Sequence, residues 1–508
     1  MAIPYFSWSE TKTPPQGASL YSLTFVASMA VSLIVYMQGA IVNPDGLLYL
    51  EVAKRFIEDG AAAAFEVYDW PFYGIFIGLV HGITALSYEH SAYLLNSISV
   101  SAACAVFVAI YSEIGTHKAR PWLAALLILA LPVLNDYRDL IVRDFAFWAF
   151  CLLALLLFIR FLRKGTLGMS LAWQLAAIVA VLFRIEGIIF FAAPTLWFLF
   201  GPATVSARLH KILQSSFLFF GLGIAGVLGA AAFQLLWADK RAYTLELWLS
   251  YMSPSSVFAQ LQAEAVNLQA QLQHLSDIGE ATLVLVSGLV FLGAFKIVSN
   301  AIVPYLAIAA YGWKKRWIDS GNRSRPVLLF LLLSLLPLLA VLLSKQFLSS
   351  RHTVLTVLLL SLLTFQYVDA AFQKLADLEK RRWLAAAWAF VLVLFLDGVI
   401  SSGSSKAIMK TEALWALENV DQNTTWLCNE PRLQFYTGGS CTYVDSALLL
   451  IRLKEEQETL APGHLLLWIG RRDHELRKSI ENNPSLIPVH SRMNRKGDRM
   501  AIFELPAR

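Results

Sequence analysis

Charge is scarce in this chain. Asp, Glu, Lys and Arg make up 15% of 508 residues while 57% are hydrophobic, a balance that excludes a soluble globular protein of this length. No run of Lys and Arg stands out, so the excess of 41 basic over 36 acidic residues reads as a bias among loops, and a nucleic-acid partner is excluded. Four cysteines are too few for a disulfide scaffold; Cys104 and Cys151 fall in apolar runs, Cys428 and Cys441 in a polar C-terminal stretch. The first apolar run has no basic stretch ahead of it and exceeds a usual leader core, so it reads as a retained span. There is no His-Glu-x-x-His, no nucleotide-phosphate loop and no Gly-x-Ser-x-Gly. No internal repeat is found, which disfavours inverted-repeat transporters.

What the chain has in abundance is apolar runs. Candidate spans cover residues 19–42, 92–111, 122–134, 145–161, 171–183, 187–200, 213–237, 282–310, 327–343, 353–368 and 383–400. The segment 70–86 is also apolar but is broken by Pro71, Gly74, Gly78, His81 and Gly82. If it does not cross, the loops with Lys118 and Arg120, with Arg160, Arg163 and Lys164, with Arg208 and Lys211, with Lys314 to Arg325, and with Lys380 to Arg382 share one side. The positive-inside rule makes that side the cytoplasm. The expected protein is therefore a polytopic α-helical membrane protein with about 11 transmembrane helices, a cytoplasmic N-terminus and an external C-terminus. The run 282–310, which contains Lys296, reads either as one kinked helix or as two half-helices. The Gln-rich stretch 238–280 reads as an external loop with an amphipathic helix.

The expected domains are a membrane domain over 1–401, with a first external loop at 43–91, and a small soluble α/β domain over 402–508. In the latter, candidate helices 407–419, 445–458 and 472–482 alternate with apolar runs 425–428, 465–470 and 500–505. An external location favours a disulfide between Cys428 and Cys441.

The most informative polar stretch follows the first span. Pro44, with Asn43 or Asp45 as a cap, signals a helix start. Tyr49, Val52, Ala53 and Phe56 then recur on one face and Glu51, Lys54, Arg55 and Glu58 on the other, so the helix should lie along a membrane surface. Asp45 is either a cap or an acid placed where the first span meets water. At the other outer span ends stand Asp136, Arg138, Asp139, Arg143 and Asp144, then Arg184 and Glu186, then Lys345, Arg351 and His352. Each alone reads as an ion pair or an interfacial anchor. Together, acids from the early loops and cations from the later ones are the parts needed to deprotonate an acceptor and hold an anionic leaving group.

Four of these motifs carry a resemblance. Pro44-Asp45 opening a surface helix, Arg143-Asp144 before an apolar span, Phe183-Arg184-Ile185-Glu186-Gly187 between two spans, and Ser350-Arg351-His352 opening a late span resemble the GT-C glycosyltransferases. The bacterial protein O-mannosyltransferase and lipid A aminoarabinose transferase group is the most similar. The resemblance covers roughly the first 370 residues. It implies a membrane enzyme that takes a sugar from a polyprenyl-phosphate carrier, inverts the anomeric centre and passes the sugar to a glycan, lipid or protein acceptor on the outer face of the bacterial inner membrane. It further implies Asp45 as catalytic base, Asp144 as its supporting acid and Arg351 as the neutraliser of the carrier phosphate. Arg138, Arg143, Arg184, Glu186, Lys345 and His352 complete the expected substrate-binding set. No cofactor is indicated, and a divalent metal is compatible with the acids but not called for. Two departures are visible: His352 stands where the group has Tyr, and Trp70 precedes Pro71 where the aminoarabinose transferases have Lys. The sugar is therefore not assigned. The competing expectation is a transporter or flippase for a lipid-linked saccharide, which needs charges near mid-span, where only Lys296 stands. A third is a non-catalytic assembly protein whose C-terminal domain binds partners.

Overall fold

The structure, a computed structural model, describes residues 18–116, 118–199, 204–236, 254–272, 274–318, 321–400, 407–454 and 462–505. The polar N-terminus and residues 238–253 of the expected Gln-rich loop lie outside them. The chain forms two compact units that do not follow chain order. One is Met1–Ala30, Asn96–Tyr137 and Arg143–Gly398; the other is Val31–Leu95, Arg138–Val142 and Val399–Arg508.

Among the described residues, seven helices are long and apolar enough to cross a membrane: Ala18–Met37, Tyr88–Ile114, Asp144–Lys164, Ile278–Asn300, Asn322–Lys345, Ser350–Asp377 and Arg381–Val399. Leu167–Phe183 and Ile185–Leu199 are shorter apolar pieces. The protein is a polytopic helical membrane protein. Two expected spans prove to be broken. The run 122–134 is Pro121–Leu129 followed by Pro132–Asn135, because Pro132 has no N–H to give and forces Leu131 out of the helical region, to φ −75° and ψ 109°. The run 282–310 resolves into two helices, Ile278–Asn300 and Val303–Lys314, parted at Ile302, whose φ is +63°.

The first unit is packed by large aromatics: Phe107, Phe145, Trp148, Phe158, Trp173 and Phe330 are fully buried. One buried ion pair fastens its late helix. Asp369 accepts from Arg120 Nε at 2.7 Å, from the Arg120 backbone N–H at 2.7 Å and from Tyr111 Oη at 3.1 Å, so the carboxylate is satisfied as its burial requires.

In the second unit, helix Pro44–Asp59 buries Gly46, Tyr49, Leu50, Val52 and Ala53, the face its periodicity marks. On the opposite, exposed face Arg55 pairs with Glu51 at 3.3 Å and with Asp59 at 2.9 Å. Within 70–86 the helix is Phe72–Thr84, 13 residues or about 20 Å, short of the roughly 30 Å hydrocarbon core. It lies against Pro44–Asp59. A Cβ on Gly74 would come within 2.4 Å of Val52 Cγ1 and 2.9 Å of the Tyr49 carbonyl oxygen, so glycine there sets how closely the helices approach.

The C-terminal segment carries one five-stranded sheet, with β1 (Thr425–Cys428), β2 (Cys441–Tyr443), β3 (Gly463–Ile469), β4 (Ile487–Met493) and β5 (Arg499–Leu505) in the order β2-β1-β3-β5-β4. β1 pairs in parallel with β2 and β3, while β5 runs antiparallel to β3 and β4. β3 lies in the sheet centre, and Leu465, Leu466 and Leu467 are wholly buried, as a strand covered on both faces must be. Helices Ala407–Asn419, Ser446–Lys454 and His474–Glu481 answer the three expected ones. Cys428 and Cys441 are disulfide-bonded, with Cα atoms 5.9 Å apart.

Candidate active site

Five side chains named by sequence meet in the first unit. Asp144 opens helix Asp144–Lys164, and Arg184 ends helix Leu167–Phe183 in an extended conformation, at φ −146° and ψ 127°. A short 3-10 turn, Ile185–Gly187, then folds back on that helix. A Cβ on Gly187 would come within 2.7 Å of the Val181 backbone nitrogen, so this turn requires glycine, and the Arg-Ile-Glu-Gly order puts Glu186 beside Arg184. Arg184 Nη2 donates to Glu186 Oε1 at 2.7 Å, while its Nη1 donates to Asp144 Oδ1 at 2.5 Å. From the late helix Ser350–Asp377, Arg351 Nε stands 3.5 Å from Asp144 Oδ2.

His352 serves its own helix start. Its Nδ1 accepts the Ser349 backbone N–H at 3.2 Å in a capping box, so the proton of the neutral ring sits on Nε2. Histidine fits this place because it closes the cap and still offers a second ring nitrogen. A cavity of about 40 Å³ adjoins the cluster, bordered by Asp144, Arg184, Glu186 and His352 on one side and by Phe147, Ser334, Leu338 and Thr356 among others. Arg184 also lies over the Phe147 ring, 5.9 Å from its centroid.

The centre of the cluster is buried. Side-chain exposure is 4% at Asp144 and 11% at Arg184. Burial alone would push the Glu186 carboxyl up, but the Arg184 guanidinium overrides it and holds the acid down to about 2. The field of Arg143 acts in the same sense. Arg184 thus bridges the two acids Asp144 and Glu186, with Arg351 on the second oxygen of Asp144.

The remaining expected residues lie elsewhere. Asp45 belongs to the second unit. It sits exposed in the first turn of Pro44–Asp59 while Asn43 takes the N-cap position, so the capping alternative for Asp45 does not hold. Arg138, also in the second unit, is buried and donates to Ser32 Oγ at 2.6 Å. Lys345 is exposed in the last turn of helix Arg325–Lys345 and does not border the cavity. Among the described residues, no group of three His, Cys, Asp or Glu side chains is placed to hold a metal ion.

Sequence reasoning missed the cavity wall and one phenol. Tyr137 hydrogen-bonds with Ser349 and Ser350 beside Arg351. Ser334, Pro337, Leu338 and Val341 form a single stripe at helical spacing, and Phe147 and Thr356 lie three and four positions beyond Asp144 and His352. That spacing is the signal by which they could have been found.

No protein-family model matches the chain, and no curated protein matches it. Among solved structures, ArnT from Cupriavidus metallidurans bound to undecaprenyl phosphate aligns with a TM-score of 0.51 and 12% identity, over 97% of this chain and 99% of that one. The same protein in the apo state aligns over the same shares at 13% identity, with a TM-score of 0.37. At such identity the first likeness speaks for the fold, from the first span through the C-terminal sheet. The chain shares the fold of ArnT.

Proposed function

We propose that this protein is an inverting glycosyltransferase of the bacterial inner membrane, moving a sugar from a polyprenyl-phosphate carrier to a glycan, lipid or protein acceptor at the outer face. The observation that carries the reading is the pairing of two guanidiniums, Arg184 and Arg351, on one acid, Asp144, where Asp144, Arg184, Glu186 and His352 border a small cavity. A fold neighbour bound to undecaprenyl phosphate supports a lipid-phosphate donor. In this reading the carrier phosphate sits beside Arg184, whose guanidinium borders the cavity.

In the reaction an acceptor hydroxyl attacks the anomeric carbon from the side opposite the phosphate. The C–O bond to phosphate breaks, its electron pair leaves with the phosphate, and the hydroxyl proton passes to Asp45 as general base. Arg351 and Arg184 neutralise the leaving phosphate, and the planar guanidinium of Arg351 can bind two of its oxygens at once. His352 Nε2–H supplies a further donor. Asp144 holds both guanidiniums in place, and Glu186 fixes Arg184 from the other side. The displacement calls on no cofactor. The transferase domain is assigned to 1–401 and an external domain to 402–508, in keeping with the disulfide at Cys428 and Cys441.

A transport path is disfavoured by Lys296. Its ammonium donates to the Leu348 carbonyl and lies over the Phe347 ring, a fixed place against the connection between helices Arg325–Lys345 and Ser350–Asp377. The test is the sugar content and intact mass of surface polysaccharide, lipid and glycoprotein from strains with and without the gene. One glycoform should disappear with the gene. An unchanged glycan, lipid and protein profile would overturn the reading.

A further inference from the structure

The chain between the end of helix Ala18–Met37 and Pro44 is irregular, so its buried backbone groups need partners from elsewhere. Val42 is wholly buried, and its N–H, three residues before Asp45, is received by the hydroxyl of Tyr436 at 2.8 Å. Tyr436 is itself buried and ends the short helix Pro431–Tyr436 of the C-terminal segment. The same hydroxyl hydrogen-bonds with Glu89, and Glu89 is gripped by Lys410 at 3.0 and 3.1 Å. Lys410 in turn lies over the Tyr436 ring, 5.1 Å from its centroid.

A second clamp acts one residue on. Asn43 holds the N-cap position, yet its side chain makes no cap hydrogen bond and instead accepts the Ile141 backbone N–H at 2.7 Å. The turn beneath is full: a Cβ on Gly46 would meet Asn43 Oδ1 and Ile141 Cβ at 3.0 Å and Val42 Cγ1 at 3.1 Å. Helix Pro431–Tyr436 is likewise fixed at both ends. The disulfide joins Cys428 before it to Cys441 after it, and Thr437 Oγ1 receives the Cys441 N–H at 3.4 Å.

We infer that the C-terminal segment sets the position of Asp45, and that Tyr436, through its hydrogen bond to the Val42 N–H, is a positioning residue for transfer. The inference rests on the proposed reading of Asp45 as the base. It gives the external domain a part in catalysis rather than in partner binding alone. Removing the hydroxyl leaves a buried N–H that must move to find water. A displacement of the base by about 1 Å is enough to cost up to a hundredfold in rate.

The test uses the full chain in lipid vesicles, with synthetic undecaprenyl-phosphate monosaccharides as donors, and compares Tyr436→Phe, Asp45→Asn and Tyr443→Phe. The last removes an exposed hydroxyl on β2. Tyr436→Phe should lower kcat about tenfold with donor KM within twofold, and raise amide hydrogen exchange across residues 41–47 while β1 and β3 keep wild-type protection. Tyr443→Phe should change neither. Inactive Asp45→Asn beside a Tyr436→Phe with wild-type kcat and exchange would overturn the inference and leave the base intact. Wild-type rates for Asp45→Asn would remove the base itself, and the inference with it. Exchange rising across the sheet as well would make the hydroxyl a general support, which also overturns the proposal.

Discussion

Arg351 Nε stands 3.5 Å from Asp144 Oδ2, on the one carboxylate whose other oxygen is held by Arg184 at 2.5 Å. A single acid therefore orients two guanidiniums with unequal grip. The tighter contact is nearly sealed from solvent, with Arg184 11% exposed, while Arg351 is 22% exposed. Arg351 is the more exposed of the two cations, and in the proposed reaction it meets the carrier phosphate.

Arg351→Lys should therefore weaken donor binding and spare the fold. A point charge replaces a planar fork, and losing one charge-assisted hydrogen bond typically costs about 1.5 kcal/mol. Donor KM is expected to rise about tenfold. Initial rates across donor concentrations measure it, and unchanged kinetics would reduce Arg351 to a helix anchor.

Arg184→Gln should act on stability first. It leaves Asp144 and Glu186 buried without their main counter-charge, a loss that typically costs about 3 to 5 kcal/mol. The thermal midpoint of the purified protein should fall well below that of Arg351→Lys. Equal midpoints for the two variants would mean that Arg184 is not the keystone of the cluster.

Glu186 gives the cluster a pH signature. Its folded value, about 2, lies below the usual 4.5, so the stability it contributes is fully present above about 4.5 and is lost as pH falls toward 2. From pH 9 to 5 the Glu186 contribution to the thermal midpoint should stay flat, and the midpoint should decline below that range. Glu186→Gln should lower the midpoint near neutrality and shallow the acid decline. A variant with the wild-type acid slope would assign that decline to other carboxylates.

Much of the fold was legible because it is local. The two faces of Pro44–Asp59 follow from a 3.6-residue period, and the strands Thr425–Cys428 and Arg499–Leu505 from short apolar runs between turn residues. β4 was missed because it is an exposed edge strand. Pro488, His490 and Arg492 break its alternation, and the pairing shifts register between Pro488 and His490. The site was legible as a list but not as a pairing. Arg138 and Arg143 are five residues apart, yet one binds Ser32 and the other adds its field to the Arg184 cluster. Nothing in local spacing separates them, since long-range packing decides which charge meets which. Asp45 shows the same limit from the other direction: the helix start was readable, but that Asn43 takes the cap position and turns its side chain to Ile141 depends on a residue 98 positions away.

The central claim is that Asp45 is the base in transfer from a lipid-phosphate sugar. Its most direct test is the initial rate of undecaprenyl phosphate release from synthetic undecaprenyl-phosphate monosaccharides, with acceptor present, by wild-type protein and Asp45→Asn in the same vesicles. Asparagine keeps the shape and removes the proton acceptor, so the rate should fall at least a hundredfold, with an unchanged thermal midpoint and an intact bond between Cys428 and Cys441. Release by Asp45→Asn within a few fold of wild type would contradict the account.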